Sequence, residues 1–364
     1  MKYLYVLLIL VPVVILMEIM DIGGHTTTFV LSALALVPLA AILGSATETV
    51  AEYTGPKIGG LLNATLGNAA ELIITIVALR EGLVTVVKAS ITGSIIGNVL
   101  LVLGAAALAG GIKNGTQKFD PRHAGVNASI MSLAVMAMMI PAIFALGNPD
   151  HRPSNDDIVK LSDGTAIVLI VLYGFYLLST IFMSGDAKKP AEAAPESPAK
   201  ALAEEEQHDS GMGLPLALGL LAGATIAIVF MSEILVGVIE PTAEDWGLSE
   251  LFVGVMLVPL VGNVAEHLVA VQMALKNQMD LSFGIAIGSA VQIALFVAPV
   301  LVLVSQFVGP DPMTLVFNQF ELVALAAAIL ITVMISIDGR SNWLEGLQLV
   351  SLYVIIGIAF YFMP

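Results

Sequence analysis

The sequence predicts an all-α membrane protein of eleven transmembrane helices, an inverted-topology 5+5 repeat plus an additional N-terminal helix. Three observations carry this prediction. Hydrophobic residues make up 58% of the chain and charged residues only 12%, more apolar surface than a soluble chain of 364 residues could hide. Apolar runs of about 20 residues, the length that crosses a bilayer, recur from end to end. One short motif occurs twice, on runs an odd number of spans apart.

The first run, 3–20, follows Lys2 and is not followed by a small-residue cleavage pattern, so it reads as a retained span rather than a signal peptide. The next runs are 28–52, 59–80, 83–110, 121–146 and 160–184. After them come 212–239, 251–275, 281–308, 316–337 and 342–362. The runs are continuous rather than alternating, which favours helices over a β-barrel. Residues 186–210, DAKKPAEAAPESPAKALAEEEQHDS, are too polar to enter lipid. They divide the chain into an N-terminal helix (1–25), a first repeat (26–185), an acidic linker (186–210) and a second repeat (211–364). Ten of the 14 Lys and Arg residues fall on the side of the N-terminus and the linker, which places both in the cytosol.

GNAAEL at 67–72 matches GNVAEH at 262–267, a shift of 195 residues. Gly93-Ser94 matches Gly288-Ser289 at the same shift, and Thr47-Glu48 resembles Ser232-Glu233 at a shift of 185. The difference implies about ten extra residues in a loop near 240–248. The two motifs lie on the third and eighth spans, so the copies cross the membrane in opposite directions, an architecture of secondary transporters.

Glu71 and Glu266 each stand thirteenth in a 22-residue stretch, 59–80 and 254–275. At 1.5 Å per residue that is roughly 18 Å into the helix, near the midplane. An ionisable group there has to face a cavity, a partner or a proton. Gly67 and Gly262 weaken each helix just before the glutamate, and Pro259 removes one more backbone bond, so both helices are expected to break there. Asn68 and Asn263 add oxygens on the same faces, and Ser94, Asn98, Ser289 and Gln292 come from the fourth and ninth spans. Two carboxylates among neutral oxygens suit a hard cation such as calcium, whereas zinc or copper would want His or Cys. Two such carboxylates cannot both stay charged without a cation, so protons and metal compete for the same oxygens. Glu71 and Glu266 are therefore the expected metal ligands. His267 reads equally as a proton relay or as a hydrogen-bond partner of Glu266. Glu48 and Glu233, placed near the inner ends of the second and seventh spans, read equally as accessory acids on the ion path or as interfacial residues. Glu52, Glu240, Glu244, Asp245 and Glu250 read as solvated loop charges.

The runs GGLLNATLGNAAELI (59–73), GSIIGNVLLVLG (93–104), VPLVGNVAEH (258–267) and GSAVQIALFVAP (288–299) resemble the calcium/proton exchanger (CAX) family of the calcium/cation antiporter superfamily. The resemblance covers nearly all the chain. It implies a ten-helix inverted-repeat core with one additional N-terminal helix, and an acidic segment on the cytosolic side between the sixth and seventh helices. Here 186–210 occupies that place, with Glu204, Glu205, Glu206 and Asp209 as its acidic cluster. The resemblance further implies that Glu71 and Glu266 exchange calcium for protons, that Asn68, Asn263, Ser94, Ser289 and Gln292 line the site, and that His267 belongs to the motif. The chain lacks the long N-terminal extension of plant members, which points to a prokaryotic inner membrane.

The expected partners are calcium and protons, with the lipid bilayer as solvent and a homo-oligomer as a further possibility. No cofactor is expected beyond calcium as the transported ion. The chain has no cysteine, which removes disulfides, thiolate metal sites and cysteine nucleophiles. A net charge of −15 without a basic arm argues against nucleic acid. Competing functions are a sodium/calcium exchanger, a cation channel and an intramembrane carboxyl protease. The protease reading meets no GxGD or HExxH signature, and the chain is not expected to be an enzyme.

Overall fold

Apolar runs in lipid have to satisfy their own backbone hydrogen bonds, and nearly every predicted run is indeed helical. The computed structural model describes residues 4–147, 152–183 and 212–363; the linker with its acidic cluster lies outside the described residues. A 3-10 turn, Leu4–Ile9, leads into α1 (Leu10–Met20), followed by α2 (Gly24–Thr54), α3 (Pro56–Leu66) and α4 (Ala69–Arg80). The fourth span is α5 (Val84–Ile96), a π-helical segment π1 (Gly97–Val102) and α6 (Leu103–Asn114). Then come β1 (Gln117–Lys118), α7 (Pro121–Leu146), α8 (Asn155–Met183), α9 (Leu214–Gly237) and α10 (Ile239–Trp246). The eighth span is α11 (Glu250–Phe252), π2 (Val253–Leu257) and α12 (Val258–Leu275). The ninth is α13 (Met279–Gln292), π3 (Ile293–Val297) and α14 (Ala298–Val304). The chain closes with α15 (Gln319–Ser336), β2 (Arg340–Ser341) and α16 (Trp343–Tyr361).

Among the described residues, eight helices are long and apolar enough to cross a membrane, or ten when each of two bent pairs counts as one span. The chain is thus an all-α membrane protein with eight to ten candidate spans. The predicted first span forms only a short apolar helix, Tyr5–Met20.

Local chemistry sets the helix ends. The Asp120 side chain accepts the Arg122 N–H at 2.8 Å, with Pro121 at the first helical position of α7. Capping boxes start α15 (Asn318 with Glu321) and α16 (Asn342 with Glu345). The ten extra residues of the second copy fold as α10 rather than the expected loop, with a bend of 113° before the next helix. Glu240, Glu244 and Asp245 are therefore exposed helical charges, not loop charges. The Trp246 indole N–H donates to Thr26 Oγ1 at 2.9 Å, which ties α10 to the start of α2.

The fourth and ninth spans form the centre of the bundle. Within their apolar windows 72% and 67% of residues are buried, against 22% for Asn155–Ser179 and Leu214–Gly237. The fourth packs closely on the eighth at Gly93, where an added Cβ would stand 2.0 Å from the Val255 carbonyl oxygen. Pro259, four residues on, has no N–H to offer that carbonyl, and the irregular π2 precedes it.

The expected helix break occurs in one copy only. The third span is interrupted at Gly67-Asn68, and α3 and α4 meet at a bend of 44°. In the second copy α12 runs unbroken through Gly262. There the irregularity falls earlier, in π2, because Pro259 forces it upstream and leaves Gly262 in regular helix.

Candidate ion-binding site

The break in the third span makes Asn68 the N-cap residue of α4, at φ −101° and ψ 24°, and puts Glu71 in the first turn. Glu71 is buried, and its carboxyl lies against Gly262 of the other copy: a Cβ added there would be 3.0 Å from Glu71 Cγ and 3.3 Å from Oε1. Glu71 and Glu266 are close enough to repel each other electrostatically. The half-buried Glu266 lies beside Ser289.

Three asparagines tie the two copies together through their amide nitrogens. Asn68 Nδ2 donates to Gln292 Oε1. Asn98 Nδ2 donates to Ser289 Oγ at 3.0 Å. Asn263 Nδ2 donates to Ser94 Oγ at 3.2 Å and to the Pro259 carbonyl at 3.0 Å. With Asn98 donating to it, the Ser289 hydroxyl keeps its own proton free beside Glu266.

Each donation leaves the amide oxygen behind. Asn68 Oδ1, Asn98 Oδ1, Asn263 Oδ1 and Glu266 Oε2 are all buried without a hydrogen-bond partner. A buried acceptor normally finds a donor, since leaving one unpaired costs roughly 1–3 kcal/mol. Three unpaired amide oxygens beside two carboxylates, one of them with an unpaired oxygen of its own, form a donor set for a hard cation. Among the described residues no three His, Asp or Glu cluster as they would around a soft or borderline metal.

The π segments help assemble this set. Asn98 lies inside π1 and Gln292 immediately precedes π3, positions that nearly coincide under the 195-residue shift. The wider turn re-aims side chains that a regular helix would point elsewhere. His267 is half-buried one residue beyond Glu266, a step of about 100° around the helix, and so faces different neighbours.

Two predicted residues stand apart. Glu48, buried, lies near the C-terminal end of α2. Glu233 is not at the same end of the bundle as expected. Its Oε1 meets Arg80 at the far end of α4, 3.0 Å away. Glu48 and Glu233 therefore do not share one end of the bundle. A further residue was not anticipated from sequence: Tyr173 of α8, whose hydroxyl donates to the Ala64 carbonyl at 2.9 Å, one turn before the break. A side-chain bond to a backbone atom 109 residues away leaves no local signal.

The buried, two-copy oxygen cluster on an all-helical bundle defines a cation transporter. The sequence profile of the sodium/calcium exchanger protein family matches residues 24–182 and 216–362. A "Ca(2+)/H(+) antiporter" of Aphanothece halophytica is 47% identical over 346 residues, covering 93% of this chain and 91% of that protein. The "Ca(2+)/H(+) antiporter ChaA" of Bacillus subtilis is 43% identical over 334 residues, covering 92% of this chain and 91% of that protein. The structure of native YfkE superposes with a TM-score of 0.82 at 39% identity, covering 99% of this chain and 100% of that one. The chain belongs to the calcium/proton antiporter (CAX) family of the calcium/cation antiporter superfamily. This is a family of transporters, which sets aside the intramembrane protease.

Proposed function

We propose that this chain is a secondary active antiporter that exchanges calcium for protons by alternating access at Glu71 and Glu266. The observation that carries the proposal is the set of three unpaired buried amide oxygens beside the two glutamates. The names of relatives at 43% and 47% identity support calcium and protons as the ions.

Two ionised carboxylates match the charge of one calcium ion. When calcium leaves, about two protons restore neutrality to a site buried in low dielectric. Asn68, Asn98 and Asn263 supply neutral oxygens, while Ser94, Ser289 and Gln292 hold the asparagines by accepting from them. The oxygens thereby stay in place when the ion is gone.

On this reading 26–185 and 211–364 are inverted halves of five spans each, behind the N-terminal helix of 1–25, eleven in all. Two parallels support the inversion. α8 packs on π3 and α14 as α16 packs on π1 and α6. Glu48 and Glu233 fall toward opposite ends of the bundle. The N-terminus and the linker are cytosolic in a bacterial inner membrane. One protomer carries the whole oxygen cluster, so exchange needs no partner copy.

Calcium-45 uptake into proteoliposomes under an imposed pH gradient tests the proposal, with and without a sodium gradient. Uptake driven by the pH gradient and indifferent to sodium is expected. Uptake that follows the sodium gradient instead would establish a sodium/calcium exchanger.

A further inference from the structure

We infer that Tyr173 is a positioning residue of the ion site: by donating to the Ala64 carbonyl that the helix break leaves open, it holds the turn from which the Asn68 amide reaches Gln292 across the repeat. The inference rests on the proposed exchange at that site and assigns part of its geometry to a side chain outside it.

In regular helix the carbonyl of residue 64 accepts from the N–H of residue 68. The break at Gly67-Asn68 takes Asn68 out of helical conformation. The buried Ala64 carbonyl then needs another donor, and the Tyr173 hydroxyl supplies it at 2.9 Å. The second copy has no such opening, because α12 is regular helix from Val258 onward. Pro259 is the equivalent of Ala64 at the 195-residue shift, and Asn263 is the equivalent of Asn68. There Asn263 Nδ2 itself folds back onto the Pro259 carbonyl, four residues earlier, at 3.0 Å.

Asn68 could make the same four-residue back-bond to Ala64. Its Nδ2 instead reaches Gln292 Oε1 across the repeat, while Tyr173 supplies the Ala64 carbonyl, and Asn68 Oδ1 is left buried and unpaired. The bond to Gln292 has no mirror image, because the equivalent of Gln292 is Gly97. Tyr173 supports the other end too. Its ring stacks on Phe296 with centroids 5.3 Å apart, and Phe296 lies in π3, which begins directly after Gln292. One buried side chain thus braces both partners of the Asn68–Gln292 bond, and through it one oxygen of the cation set.

The test uses the full chain in proteoliposomes, with calcium-45 uptake driven by a pH gradient. Tyr173→Phe keeps the stacked ring and removes only the hydroxyl. The expected result is a calcium KM raised about fivefold, the equivalent of losing one hydrogen bond, with Vmax within about twofold of wild type. Tyr173→Phe/Asn68→Ala should be no worse than Asn68→Ala alone, because both act through one amide. An unchanged KM in Tyr173→Phe overturns the inference. So do effects that multiply in the double variant, and so does a joint loss of Vmax and thermal stability at constant KM, which marks a purely structural residue. If wild type shows no proton-driven uptake, the exchange proposal fails by itself. Equilibrium calcium-45 binding to the detergent-solubilised protein then decides on Tyr173: a weaker Kd in Tyr173→Phe supports its role and an equal Kd overturns it.

Discussion

Placing a methyl group on Gly262 displaces a central carboxylate without removing it. An added Cβ would lie 3.0 Å from Glu71 Cγ, 3.3 Å from Oε1 and 3.4 Å from Cδ. Carbon contacts are most favourable at about 3.5–4.0 Å, so the Glu71 side chain has to retreat by roughly 0.5 Å. Its three side-chain torsions allow this, and α12 is already regular helix at Gly262, so Gly262→Ala should fold normally. Ion ligands tolerate errors of about 0.5 Å before binding suffers. At that limit a loss of about 1.4 kcal/mol is expected, which is a tenfold rise in the calcium KM. The assay is initial-rate calcium-45 uptake over a range of calcium, with the melting temperature measured on the same preparations. Gly97→Ala, whose added Cβ meets nothing within 4 Å, is the matched control and should leave KM unchanged. A Gly262→Ala protein with wild-type KM, or one that loses thermal stability and Vmax at constant KM, would refute the reasoning.

Gly93 and Gly288 are equivalent in the repeat yet should respond oppositely to alanine. A Cβ at Gly93 collides with the Val255 carbonyl at 2.0 Å, so Gly93→Ala should cost about 3 kcal/mol or more and largely abolish folded protein on size exclusion. Gly288 has nothing within 4 Å, and Gly288→Ala should match or exceed wild type in thermal stability. The Arg80–Glu233 pair is partly exposed, with side chains 57% and 36% accessible. Arg80→Gln should therefore change stability by no more than about 1 kcal/mol and leave the calcium KM unaltered; a KM shift above about threefold would place Glu233 on the ion path after all.

The sequence made the helices and the paired motifs legible because both depend on local pattern: apolar length for the spans, identical residues for the repeat. It grouped Glu71, Glu266, the three asparagines and their serine and glutamine partners, residues that neighbour one another in the structure, since shared helix faces follow from spacing. What it missed depends on differences between the copies. The same glycine breaks the helix at Gly67 but not at Gly262, because Pro259 moves the irregularity into π2 while Ala64 exerts no such force. Glu233 was placed by analogy with Glu48, yet it pairs with Arg80 at the far end of α4. The π segments have no residue signature of their own, and α10 looked like a loop because its polar residues are confined to one short, exposed helix.

Replacing each central glutamate by its isosteric amide tests the account most directly. Glutamine keeps the side-chain volume and one oxygen but can neither carry the negative charge nor exchange the proton. In proteoliposomes with an imposed pH gradient, wild type should accumulate calcium-45 against its own gradient, while Glu71→Gln and Glu266→Gln should each fall to the level of protein-free vesicles. Full proton-coupled uptake by either variant would contradict the claim that these two carboxylates bind calcium and protons in turn.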